Sequence, residues 1–132
     1  MKIFITAPFK NGKNRFEIET LCNLVNQAGF HDFCFIRDVE NYKKTFNNPK
    51  QLMQRAQEEI LKCDALLIDL STVSTGRAIE MGIAFNSGKK IVIICKKGTN
   101  LRDTAKGVAD KIIEYENIED IVKPLNNFLE NN

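Results

Sequence analysis

The chain has no tryptophan, one histidine and three prolines among 132 residues. No apolar run in it approaches membrane-spanning length. Each of these lacks removes a class of function. The lone histidine, His31, follows Gly29-Phe30 in an expected turn, so a histidine-built metal site or general base is set aside. The four cysteines, Cys22, Cys34, Cys63 and Cys95, form no CxxC pair and lie in or beside apolar runs. They read as reduced, buried thiols, with neither a metal nor a cofactor implied. Both GxGxxG and GxxxxGK[ST] are missing, which withdraws motif support for dinucleotide binding and NTP hydrolysis. Charge of one sign is also lacking: 19 basic and 17 acidic residues leave a net +2. Such a balance does not point to nucleic acid or to a membrane surface. Lys2-Ile3-Phe4-Ile5-Thr6 is too short for a signal-peptide core, and the chain is expected to be soluble and cytoplasmic.

What is present is a 43% hydrophobic chain that reads as one domain, residues 1–132, with a single core. Lys2 to Ala7 reads as a first strand ended by Pro8, which has no N–H for a ladder. Phe16, Ile18, Leu21, Cys22, Leu24 and Val25 form a helical stripe closed by Gly29. Asp32 to Ile36 suggests a second strand. The polar stretch from Arg37 to Asn48 has no period and reads as a surface loop, a candidate mobile lid. Pro49 suits the first turn of a helix with Leu52, Met53, Ala56, Ile60 and Leu61 on its apolar face. Ile91 to Cys95 is a fourth strand, Lys96 to Lys106 a second polar loop, and Ile112-Ile113 a short fifth strand ending near Tyr115. The last helix spans Ile118 to Leu129, with Pro124 expected to kink or split it near Lys123. Strands alternating with helices predict a three-layer α/β sandwich, flavodoxin-like or Rossmann-like. Its five-stranded, mostly parallel sheet is expected to run in the order 2-1-3-4-5.

The chain is organised around Cys63 to Phe85. Ala65 to Leu70 is apolar except for Asp69 and suits a strand buried on both faces. The loop Ser71-Thr72-Val73-Ser74-Thr75-Gly76 follows, and then Ala78, Ile79, Ile83, Ala84 and Phe85 recur at helical spacing. Strand, hydroxyl-rich turn and helix start make the ligand-binding corner of an open α/β sheet. Glu80 falls about one turn into that helix, where the dipole favours a negative charge. The plainer reading of Glu80 is a glutamate that stabilises its own helix, and of Asp69 a cap for the loop after it.

Asp64, Ser74-Thr75-Gly76, Glu80-Met81-Gly82-Ile83-Ala84 and Lys89-Lys90-Ile91 together resemble the nucleoside 2-deoxyribosyltransferase superfamily. The nearer likeness is to its 2′-deoxynucleoside 5′-phosphate N-hydrolase branch. The resemblance implies that Glu80 is a nucleophile that attacks the anomeric carbon, with water or a second base resolving the glycosyl ester. The helix dipole is expected to keep Glu80 ionised. Serine at position 74, where transferases acting on free nucleosides tend to carry an acid, favours a 5′-phosphate over a 5′-hydroxyl. The resemblance also implies substrate contacts from Phe4, from the loop residues Ala7, Pro8, Phe9, Lys10 and Gly12, and from Ser71, Ser74, Thr75, Gly76, Arg77 and Met81. Lys10 or Arg77 would add charge, and Asp69 would join Glu80 in catalysis by orienting the sugar. Ser74 is equally readable as a helix N-cap.

One position departs from the pattern: Ala56 stands eight residues before Asp64, where the family usually has an aspartate. Glu58, Glu59 and Asp38 are the acids left to substitute for it. Three functions stay open: an N-glycosidase of a (deoxy)nucleoside 5′-monophosphate, a transferase exchanging bases between nucleosides, and a nucleotide-binding module without turnover. The resemblance further implies a homodimer or higher homo-oligomer, with Gly98 to Thr104 as the segment that would reach a neighbouring subunit.

Overall fold

A computed structural model describes residues 1–132. Strands β1 (Lys2–Ile5), β2 (His31–Cys34), β3 (Ala65–Asp69), β4 (Lys90–Lys96) and β5 (Lys111–Tyr115) form one sheet. Its order is β2-β1-β3-β4-β5, with every neighbouring pair parallel. The helices are α1 (Arg15–Gln27), α2 (Phe35–Asp38), α3 (Pro49–Leu61), α4 (Thr75–Asn86), α5 (Asp103–Val108) and α6 (Val122–Glu130), the last entered through a 3₁₀ turn at Ile118–Ile121. The expected α/β architecture and strand order are therefore present.

The two-residue period of the strands divides the core. Ile3, Ile5, Ala65, Leu67, Val92 and Ile94 point to the layer that holds Cys22 and Val25 of α1 and Leu125 and Phe128 of α6. Phe4, Leu66, Ile68, Ile91 and Ile93 point to the opposite layer, with Ala56 and Ile60 of α3 and Ala84 of α4. Because helices cover both faces, β3 and β4 are apolar without alternation. All four cysteines are free and buried.

Local details differ from the sequence reading for identifiable reasons. The first strand ends at Ile5, although Thr6 still donates its N–H to Leu67 O at 3.0 Å. Phe16 is not on the buried stripe but 80% exposed, and Leu61 at the end of α3 is 47% exposed. Phe35 and Ile36 leave the strand direction at Cys34 and coil into α2, where the Asp38 carboxylate accepts the Cys34 N–H at 2.9 Å. The second polar loop contains α5, and Pro124 sits in the first turn of α6, where no intrahelical N–H is needed.

The segment read as a mobile lid is tied down. Tyr42 is buried, donates its N–H to Ile36 O at 2.8 Å and its hydroxyl to Glu19 at 2.5 Å, and lies under the Arg15 guanidinium at 4.7 Å. Phe46 stacks on Phe35 with centroids 6.1 Å apart. Packing of two aromatics, invisible to a search for periodicity, overrides the polar composition. No helix is long and apolar enough to cross a membrane.

Gly29 shows how one turn is held by glycine alone: its φ is +104°, and an added Cβ would meet Leu129 Cδ2 at 2.9 Å. Gly29→Ala is expected to cost about 1–3 kcal/mol in urea unfolding, since it combines a strained backbone with an overpacked contact. A wild-type midpoint would contradict this account of the α1–β2 turn.

Candidate active site

Parallel sheets with helices on both faces open a crevice where the strand order reverses, here between β1 and β3. A cleft of about 260 Å³ lies there. Its floor is Phe4, Ile5 and Thr6 at the end of β1. One rim is Ala7, Pro8 and Phe9, and the other is Ser74, Gly76, Arg77 and Glu80 from the start of α4. An apolar wall closes it: Phe35, Ile36, Leu52, Met53 and Ala56 from α2 and α3, with Glu40 beside them. Thr6 Oγ1 is buried in the floor with no hydrogen-bond partner.

Arg77 sets the geometry of the α4 rim. It is only 5% exposed. Its guanidinium donates to Asp69 O at 2.7 Å, to Thr72 O at 2.9 Å, to Thr72 Oγ1 at 3.1 Å and to Ser74 Oγ at 3.1 Å. A loop without regular structure thereby gains fixed partners for its carbonyls. The Ser74 hydroxyl makes no N-cap bond to α4; it accepts from Arg77, which leaves its own O–H free.

Glu80 is half-buried, has no hydrogen-bond partner, and is the sixth residue of α4. Burial pushes its carboxyl up to about 8; Cys34 and the like charge of Glu40 add to this, and Arg77 opposes it. The expectation that the helix dipole keeps Glu80 ionised is thus overturned. The dipole acts within the first turn and is worth about 0.3–1 kcal/mol, less than the desolvation it would have to offset. Glu40 is 8% exposed, and burial raises its carboxyl as well.

The structure gathers eight of the sequence-derived site residues around this cleft: Glu80, Phe4, Ala7, Pro8, Phe9, Ser74, Gly76 and Arg77. Six others stand outside it. Asp69 points to the opposite face of the sheet, where its carboxylate accepts the Ser71 N–H at 2.8 Å and the Tyr115 hydroxyl at 2.5 Å. One residue of strand register separates it from the cleft face, and it acts as the loop cap of the plainer reading. Ser71 accepts the Lys96 N–H at 2.8 Å and braces the same side. Thr75 and Lys10 are exposed and do not line the cleft. Gly12, with φ +84°, shapes the first loop beneath Tyr42. Met81 lines a separate cavity of about 360 Å³ with Leu101 and Val108.

The acids considered as substitutes at Ala56 are engaged elsewhere. Asp38 pairs with Arg37 at 2.8 Å, Glu59 with Arg55 at 3.1 Å and Lys62 at 3.3 Å, and Glu58 is exposed. Sequence reasoning missed Glu40 and the aromatic Phe35. Phe35 directly follows the end of β2, and Glu40 lies in the turn after α2. No group of three or more histidine, cysteine or acidic residues is placed to hold a metal ion.

No protein-family model matches the chain, and no curated protein matches it either. Solved structures share its fold. A CMP N-glycosidase of Clostridium botulinum, BcmB, superposes with a TM-score of 0.71 at 22% identity, covering 96% of this chain and 99% of that one. A 2-deoxyribosyltransferase from Bacillus psychrosaccharolyticus superposes with 0.73 at 17% identity, covering 92% and 90%. A conserved protein from Enterococcus faecalis V583 gives 0.74 at 16% identity, covering 97% and 98%. The class these likenesses define is one of fold: an α/β domain of the architecture seen in BcmB and in that transferase.

The folded protein holds the Glu80 proton up to about pH 8, whereas its ordinary value is 4.5. Between those values the native state binds more protons than the unfolded chain, so stability falls as pH rises and levels off above pH 8. Glu80→Gln removes that loss. The variant is expected to match wild type at pH 4 and to exceed it by about 1–3 kcal/mol above pH 8, discounted for an open cleft. Parallel stability–pH curves in denaturant unfolding would contradict the burial of this carboxyl.

Proposed function

We propose that the chain is an N-glycosidase of a nucleoside 5′-monophosphate, with Glu80 as its nucleophile, in the nucleoside 2-deoxyribosyltransferase superfamily. The observation that carries this is one cleft with an apolar wall, in which an unpaired carboxyl lies six residues, nearly two helical turns, beyond a free serine hydroxyl at a helix start. The fold shared with a CMP N-glycosidase and a 2-deoxyribosyltransferase supports it.

The cleft suits the three parts of such a substrate. The phosphate rests against the Ser74 hydroxyl and the N–H groups of the first turn of α4. Arg77 contributes its charge, its N–H groups being engaged with the loop. The flat base lies against Phe35, Leu52 and Met53, and the sugar between them meets Glu80. As the C1′–N bond lengthens, positive charge grows on C1′ and the ring oxygen. Glu80 in its deprotonated form, a fraction that grows as pH rises towards 8, stabilises that charge and then bonds to C1′, while the bonding pair leaves with the base. Water attacks C1′ in turn and frees Glu80, giving a sugar 5-phosphate.

Base exchange is the second reading, supported by the transferase neighbour and by the same ester, which a second base can resolve. A binding module without turnover is the third, and Ala56 in the cleft wall is what favours it. Self-association belongs to the proposal: Ile79 at 48% and Phe85 at 56% exposure, with Val73 at 74%, give α4 and its entry an uncovered apolar face.

Incubation with single nucleosides, their monophosphates and a free acceptor base separates these readings by product. Free base with sugar phosphate is the expected outcome, exchanged base marks the transferase, and binding without release marks the module. Glu80→Gln and Glu80→Ala are expected to lose at least ~10³ of the rate, because the covalent route closes. Ser74→Ala is expected to lower kcat/KM about 10- to 100-fold for the monophosphate and to leave the nucleoside nearly unaffected. Full turnover by the Gln variant would overturn the mechanism.

A further inference from the structure

We infer that Glu40 is the second carboxyl of the reaction, the group that protonates the departing base. The inference rests on the N-glycosidase reading and adds a residue to it. Only two carboxyl groups line the cleft, Glu80 and Glu40. They come from different elements, Glu80 from α4 and Glu40 from the turn that follows α2.

Glu40 is 8% exposed, yet its side chain makes no ion pair or hydrogen bond; only its backbone is engaged, to Phe35, Lys43 and Thr45. A buried acid without a partner inside the protein is costly, and its cost is met where a ligand supplies the partner. The backbone is shaped to hold it there. Asn41 and Tyr42 follow at φ 49° and 61°, left-handed conformations that residues with side chains seldom adopt. Tyr42 keeps them in place through its burial, its bond to Glu19 and the Arg15 guanidinium above its ring. Strain of this kind, held by surrounding packing, fixes the backbone that carries Glu40.

Its place along the cleft defines its task. With phosphate at Ser74 and the sugar carbon at Glu80, the base falls against Phe35, Leu52, Met53 and Ala56, and Glu40, whose N–H bonds Phe35 O at 3.1 Å, lines the same cleft. A base leaving as an anion is a poor leaving group, and a proton delivered to its nitrogen removes that barrier. Burial raises the Glu40 carboxyl, and burial together with the nearby Glu40 charge raises Glu80, so the pair retains a proton into the neutral range. Positive charge developing beside Glu80 favours the arrangement with that proton on Glu40. The C1′–N bond then breaks, its electron pair takes the Glu40 proton, and a Glu80 oxygen bonds to C1′. In the second half, water loses a proton to Glu40 and bonds to C1′ as the ester to Glu80 breaks. Both carboxyls return to their starting states.

The test compares two leaving groups. Glu40→Gln is assayed on a nucleoside 5′-monophosphate and on a nitrophenyl riboside 5′-phosphate, whose phenolate departs without a proton. The expected result is a loss of about 10²–10³ in kcat on the nucleotide and under about tenfold on the aryl substrate, with KM little changed. Glu40→Ala with added azide is expected to yield the glycosyl azide, azide having entered the space of the deleted carboxyl. Equal losses on both substrates, or a change in KM alone, would overturn the role of Glu40 while base release by wild type left the glycosidase reading standing. Absence of base release by wild type from every monophosphate would overturn both.

Discussion

A buried guanidinium fixes the site. Arg77 enters a loop whose carbonyls have no sheet or helix partner and binds two of them, together with two hydroxyls. Five N–H donors in a planar fork can do this; an ammonium cannot. The same contacts explain why Glu80, three residues further on, has no ion pair. The guanidinium faces the loop and reaches the carboxyl only as a nearby charge. Loop order and an unpaired carboxyl thus come from one side chain.

The second constraint is electrostatic. Two acids share a cleft walled by aromatic and aliphatic groups, and water is partly excluded from both. A site built only for stability would pair them or replace them. Here the desolvation is retained, and the left-handed Asn41-Tyr42 backbone is retained with it. Both costs sit beside the cleft, while the sheet beneath is regular and fully apolar from Ile91 to Ile94. A rigid scaffold carries a strained, charged mouth.

The fold was legible because its signals are additive along the chain. Four apolar residues in a row at Ile91 to Ile94, and Ala65 to Ile68 before Asp69, require burial on both faces, and helical stripes between them require crossovers. The start of α4 was legible for the same reason. The far wall was not, because it is made by chain reversal. Phe35 reads as strand by composition and coils into α2 through a side-chain bond from Asp38. Tyr42 and Glu40 sit in a polar stretch whose order comes from contacts with Glu19 and Arg15, distant in sequence. Asp69 failed by one residue of strand register, a distinction that period-2 counting makes only when the strand's first cleft-facing residue is known. The state of Glu80 failed because desolvation depends on the assembled cleft, whereas the dipole is visible in the helix alone.

The central claim is that Glu80 bonds to the anomeric carbon, and stereochemistry reads it most directly. Cleavage of a β-nucleoside 5′-monophosphate in water containing methanol leaves a methyl glycoside 5-phosphate whose anomers do not interconvert, and proton NMR assigns them. Two displacements at one carbon, the first by Glu80, give the β anomer. Formation of the α anomer would mean a single displacement by solvent and would contradict the covalent role of Glu80.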